Sequence, residues 1–231
     1  MALRKKLLAA AALVCLALGS RAALAADDLQ RVLRELDTAA ANFHSTTADF
    51  EFDTYQTDPF PEKDTQKGKA YYERKGAAFQ MSAHIAEMNG KATPRMYTYT
   101  GGVLRLFEPM IDQMTTIKSA GKFESYIGLG FGASGKDLAE RWEIKYLGPE
   151  TLDGVKTEKL ELIAKDPTVR KNLPKVTVWL DTERGVSLKQ VFDQGQGQSR
   201  VCVYFNIKVN QPLPADAFKA KTDAKTQYVE H

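Results

Sequence analysis

The stretch Gly130-Phe131-Gly132-Ala133-Ser134-Gly135-Lys136-Asp137, GFGASGKD, separates two fold classes. It contains G-x-G-x-x-G and fits G-x-x-x-x-G-K, so it reads either as a phosphate cradle in an α/β fold or as a glycine-rich connector between strands. A phosphate loop needs Ser or Thr after the lysine to hold Mg²⁺, whereas Asp137 sets a carboxylate beside phosphate charge. The dinucleotide version needs a βαβ unit. The segment WEIKYLGPETLDGVKTEKLELIA, Trp142 to Ala164, has instead the Asp153-Gly154 turn and flanking strands of a hairpin. The connector reading stands, with a short helix over Gly135 to Arg141, and the fold is a β fold.

On either side of this connector, strands are expected at 47–55, 67–75, 78–87, 95–100, 103–108, 111–118, 142–148, 155–164, 175–181, 186–194 and 199–209. They are separated by Lys75-Gly76, Asn89-Gly90, Gly101-Gly102, Asp153-Gly154, Arg184-Gly185 and Gly195-Gln196-Gly197. Connections this short join antiparallel neighbours. In the last strand, Val201, Val203, Phe205, Ile207 and Val209 are expected on one face, and Cys202, Tyr204, Asn206 and Lys208 on the other. Before the strands, Leu29, Val32, Leu33, Leu36, Ala40 and Phe43 recur at three and four residues, an amphipathic helix entered through Asp27-Asp28. The class is mainly β (α+β): one curved antiparallel sheet of about eleven strands with a helix over its apolar face.

The first residues read differently. Arg4, Lys5 and Lys6 precede a 13-residue apolar run from Leu7 to Gly19, and Ala23-Leu24-Ala25 supplies an A-x-A site. This is the order of a secretory signal peptide, so residues 1–25 are expected to be cleaved near Ala25, leaving 26–231 as a single domain in the periplasm. The run rises about 20 Å as a helix, short of a hydrocarbon core of about 30 Å. Cleavage removes Cys15 and leaves Cys202 alone, an expected inert, packed thiol with no disulfide partner. It also removes four basic and no acidic residues, which takes the formal charge from +3 to −1. No basic stripe is left to neutralise phosphates, so nucleic acid is not an expected partner.

Candidates for chemistry are few. His44, His84 and His231 have no metal-ligand spacing, G-x-S-x-G is absent, and no catalytic residue, metal or cofactor is expected. Five of the six methionines lie between Met81 and Met114, among Tyr71, Tyr72, Phe79, Tyr97, Tyr99 and Phe107. Such adaptable side chains fill an ordinary core or line an apolar surface that takes varied partners.

The order of several segments carries a resemblance. Tyr99 to Met114, YTGGVLRLFEPMIDQM, resembles the "dG..l..y.P...q" hairpin of the LolA-type periplasmic lipoprotein carriers. FHSTTADFEF resembles that family's first strand after its opening helix, GKAYYERKGAAFQM its "G.l..kRP..f.w" pair, and the region from Thr177 to Phe218 its closing strands. The resemblance covers nearly all of the chain beyond residue 25. It implies a half-open antiparallel barrel whose amphipathic helices lid an apolar cavity for acyl chains of a lipoprotein or lipid. It also implies partners: an inner-membrane ABC-type lipoprotein-releasing complex and an outer-membrane receptor. The chain is expected to act as a monomer without a cofactor.

By the same resemblance Arg74 matches the family's arginine that holds the lid, and Phe79 a following phenylalanine. Here Lys75-Gly76 replaces the family's proline, and Phe79 comes five residues after Arg74 instead of four. Phe50, Phe52, Phe79, Met81, Leu104 and Leu106 are the expected cavity lining, and the helix from Leu29 to Phe43 the lid. Gly128 to Asp137 falls where the family places lid elements across the cavity mouth, so it is expected as either a moving lid or a plain loop. An alternative implied by related domains is an envelope regulator that senses lipid or lipoprotein.

Overall fold

Alternating apolar side chains give each strand one face that must leave water, and pairing the strands in order buries that face along one surface. The computed structural model describes residues 26–76, 78–118 and 128–231; the expected leader, with Cys15 and the cleavage site near Ala25, lies outside them. Among the described residues twelve strands form one sheet: β1 (Ser45–Gln56), β2 (Glu62–Lys75), β3 (Ala78–Met88), β4 (Lys91–Thr100), β5 (Val103–Glu108), β6 (Gln113–Ile117), β7 (Trp142–Leu152), β8 (Val155–Ala164), β9 (Lys175–Asp181), β10 (Val186–Gly195), β11 (Gln198–Val209) and β12 (Gln227–Glu230). Their spatial order is β12-β6-β5-β4-β3-β2-β1-β11-β10-β9-β8-β7. The sheet is mostly antiparallel, curved and not closed. Its parallel pair, β12 on β6, departs from the all-antiparallel expectation.

The short β12 is additional to the expected strands, because its four residues lie beyond a stretch with no alternation. The strand expected at 111–118 is shorter, because Ile111 and Asp112 close a turn onto the carbonyls of Glu108 and Pro109. The face expected for β11 is corrected more deeply. Cys202 is buried and Tyr204 packs into the core, while Phe205 is 45% exposed. Asn206 adopts φ 51°, and the pairing with β1 slips between Thr47↔Lys208 and Asp49↔Phe205. This bulge moves the side-chain phase by one residue, so Ile207 and Val209 join Cys202 and Tyr204 on the inner face.

Three helices accompany the sheet among the described residues. α1 spans residues 26–41 and buries Val32, Leu33, Leu36 and Ala40, as its period required. It packs on the wing formed by β7, β8 and β9, where Val32 and Leu36 meet Leu160, Leu162, Val176, Val178 and Leu180. Arg31 reaches Glu158 on β8 at 2.8 Å, Glu158 accepts from Tyr146 Oη at 2.6 Å, and Glu35 accepts from Thr182 Oγ1 at 2.7 Å. α2 (Gly135–Arg141) has the expected bounds, with Ser134 as N-cap accepting from Asp137 N. α3 (Pro167–Asn172) is additional to the expected helices, although Asp166-Pro167 is a capping residue followed by proline at the first helical position. No helix among the described residues is long and apolar enough to cross a membrane.

The outer face near β2 to β6 is covered by the chain itself. Residues between β11 and β12 cross it, with Ala217 buried and Ala220 against Met96, Phe107 and Met114. Ser82 Oγ and His84 Nε2 both donate to the Ala217 carbonyl, the latter at 2.9 Å, which gives His84 a packing role.

Candidate functional site

The inner face of β1, β2, β3, β4 and β11 forms an apolar trough. Register puts Phe50 opposite Gly68, Phe52 opposite Cys202, and Met81 between Tyr72 and Tyr99. Gly68 lets neighbouring backbone approach closely, since a Cβ there would stand 2.1 Å from the His84 carbonyl oxygen. A cavity of about 380 Å³ lies in the trough, lined by Phe50, Phe52, Tyr72, Met81, Tyr97 and Tyr204 among others. Thr54, Gln66 and Arg200 are its polar exceptions. A second cavity of about 300 Å³ is lined by Phe79, Leu129, Phe131, Leu138 and Trp142, with Arg74, Asp137 and Arg141.

Phe131, from the GFGASGKD stretch, stands between them. It is fully buried and stacked on Tyr72, with ring centroids 4.0 Å apart and planes 6° from parallel. Tyr204 meets its other side edge-on at 4.7 Å. The backbone around it is tied to β10: Gly132 N donates to Gly185 O at 3.1 Å and Ser187 N to Gly130 O at 2.6 Å, while Gln190 Nε2 donates to Leu129 O at 2.6 Å. The glycines answer to sterics. A Cβ on Gly132, whose φ is 70°, would come within 2.3 Å of the Phe43 ring, and one on Gly135 within 2.1 Å of Leu33 O. Residues 128–135 are thus packed against Tyr72 and Tyr204 and tied to β10. They are a wedge driven into the trough.

Of the expected lining residues, Phe50, Phe52 and Met81 come together in the larger cavity, and Phe79 joins Arg74 in the smaller one. Arg74 pairs with Phe79 across β2 and β3, so its side chain shares the inner face. Leu104 and Leu106 lie opposite Tyr99 and Tyr97 on the same face, one strand beyond the residues that line either cavity. Tyr72, Tyr204, Gln190 and Trp142 belong to the site beyond the residues expected there. The Asn206 bulge hides Tyr204 from a reading of alternation, and the burial of Gln190 has no local sequence signal.

Burial pushes the Tyr72 and Tyr204 phenols up, and raises the Cys202 thiol to about 12, which makes it a poor nucleophile. Among the described residues no group of three His, Cys, Asp or Glu side chains is placed to hold a metal. The trough therefore offers apolar contact and shape, with charge only at its ends.

No family model matches the sequence. A curated relative, the uncharacterized protein MJ0687 of Methanocaldococcus jannaschii, is 28% identical over 119 residues, or 52% of this chain and 33% of its own. The chain thus spans about a third of that relative's length. Among solved structures, an uncharacterized conserved protein from Thermus thermophilus superposes with a TM-score of 0.55 at 10% identity, over 87% of this chain and 98% of that one. MucB gives 0.53 at 13% identity, over 88% of this chain and 66% of its own length. A half-open sheet with a helix on its inner side is the architecture the sequence resemblance implied. The chain shares its fold with these two structures. A LolA superfamily protein from Nitrosomonas europaea aligns more loosely, with a TM-score of 0.42 at 16% identity over 83% of this chain and 97% of that one.

Proposed function

We propose that the protein is a carrier of acyl chains, belonging to a lipoprotein or a lipid, in the periplasm. The observation that carries this reading is the apolar trough, in which Phe50, Phe52 and Met81 line a cavity within a half-open sheet. Ligand sites run from about 300 to 1,000 Å³, and each of the two cavities is at the low end of that range. A cargo with several chains therefore calls for the cavities to join, which Phe131 governs. Leu104 and Leu106 extend the same apolar face for longer chains. Carriage needs release as well as binding, because each buried CH₂ contributes about 0.8 kcal/mol and a perfectly fitted long chain would not leave. Methionine and ring side chains that can repack suit that balance.

In this reading the leader directs export and is removed near Ala25, and the monomer takes cargo from an ABC-type complex in the inner membrane for a receptor at the outer membrane. Arg74 helps hold the closed state. No catalytic step is involved. The test is to purify the protein from cells and identify bound lipid or lipoprotein by mass spectrometry, then to measure release of lipoproteins from membrane vesicles. Co-purifying acyl cargo and stimulated release are expected. An empty protein that releases nothing would overturn the reading, and capture of a membrane-bound regulator in place of a transport complex would assign it a sensing role.

A further inference from the structure

The two cavities differ in one respect that carriage of chains alone does not require. The smaller one brings together two arginines from separate parts of the fold. Arg74 lies near the end of β2, where it pairs with Phe79; Arg141 ends α2, directly before the buried Trp142. Arg31, Arg95, Arg170 and Arg184 meet carboxylates, whereas Arg34, Arg105 and Arg200 have no ion pair among the described residues, and of these only Arg200 lines either of the two cavities, the larger one, where it stands alone. Neither Arg74 nor Arg141 has an ion pair or a side-chain hydrogen bond among the described residues. Asp137, one helical turn before Arg141, also lines the cavity but makes no ion pair with either arginine, so the described lining residues carry an excess of one positive charge. Its floor is Phe79, Phe131, Leu138 and Trp142.

A cationic rim over an aromatic and aliphatic floor is complementary to an amphiphile with an anionic head. Guanidinium groups present planar pairs of N–H donors that match carboxylate and phosphate oxygens, and such charge-assisted bonds are stronger than neutral ones. We infer that the cavity between Arg74 and Arg141 binds the anionic head group, carboxylate or phosphate, of an amphiphile whose chain lies on Phe79, Phe131 and Trp142. The inference rests on the carrier reading and adds a head-group preference to it.

The test is calorimetric titration of the delipidated protein with three ten-carbon probes: decanoate, decyl phosphate and decanol. Decanoate or decyl phosphate is expected to bind at least about tenfold more tightly than decanol, the scale of one charge-assisted hydrogen bond. The tighter of the two identifies a fatty-acid-like or a phospholipid-like head. Arg141→Gln should remove that preference and leave decanol affinity unchanged, and Arg74→Gln should remove the preference too. Asp137→Asn should strengthen binding of both anions, a gain that misfolding does not produce. Equal binding of all three probes, unmoved by any of these substitutions, overturns the head-group site and leaves the carrier reading intact. Failure to bind decanol as well overturns the carrier reading itself.

Discussion

At Asp53 three donors converge on one buried carboxylate. Thr65 Oγ1 reaches Oδ1 at 2.6 Å, and Lys63 Nζ and Tyr55 Oη reach Oδ2 at 3.0 and 3.1 Å. Burial by itself raises this carboxyl, but the hydrogen bonds outweigh it and hold the group below the usual aspartate range. Asp49 is lowered as well, chiefly by its hydrogen bonds from Lys69 and Asn206, the second of which staples the β11 bulge. A carboxyl lowered in the folded state contributes stability above its unfolded value near pH 4, and that contribution is lost as pH falls through the folded value. Asp53→Asn removes the linkage. The drop in Tm between pH 7 and pH 3 is therefore expected to be smaller in Asp53→Asn than in the unsubstituted protein, as read by circular dichroism.

Among the elements, the wedge of residues 128–135 and helix α1 hold the trough in its present form. α1 is fixed by its apolar stripe and by Arg31 and Glu35, and the wedge by backbone bonds to β10. Gly132→Ala places a Cβ against the Phe43 ring at positive φ, and overpacking of this kind costs about 1–3 kcal/mol. The expected result is a lower denaturation midpoint with unchanged slope. Amide exchange locates the effect: Gly132 and Ser187 should exchange slowly in the parent, since both donate within the wedge contact, and faster in the variant. Fast exchange already in the parent would mean that the wedge opens on its own and that the two cavities are in continual communication.

Taken as a whole molecule, a twelve-stranded open sheet has two faces to protect and two edges to manage. The inner face is filled by α1 and the wedge. On the outer face, Met96, Phe107 and Met114 are covered by the segment that follows β11, which then adds β12 to the edge of β6. Ending the chain at residue 210 removes that cover. A loss of about 3 kcal/mol, equivalent to one or two buried apolar side chains, lowers the Tm of a chain this size by about 6–12 °C. The truncated protein is expected to show that fall together with increased binding of a dye for exposed apolar surface. An unchanged Tm would mean that the tail contributes nothing to the fold.

Local pattern in the chain was enough for the fold class, eleven of the strands, α1 and α2, and the inward faces of Phe50, Phe52, Phe79 and Met81. Each depends on periodicity or on a turn residue, and those act between near neighbours. The phosphate reading of GFGASGKD also fails on local grounds, because Asp137 and the hairpin after it contradict that chemistry. The direction of Tyr204 had to wait for three dimensions, since one bulge at Asn206 reverses the assignments that precede it in β11 and keeps Ile207 and Val209 on the apolar face. The same holds for the purpose of the wedge glycines, set by Phe43 and Leu33 about a hundred residues earlier in the chain, and for the meeting of Arg74 with Arg141. Packing across the curve of the sheet joins residues that no local pattern relates, and both cavities are products of that packing.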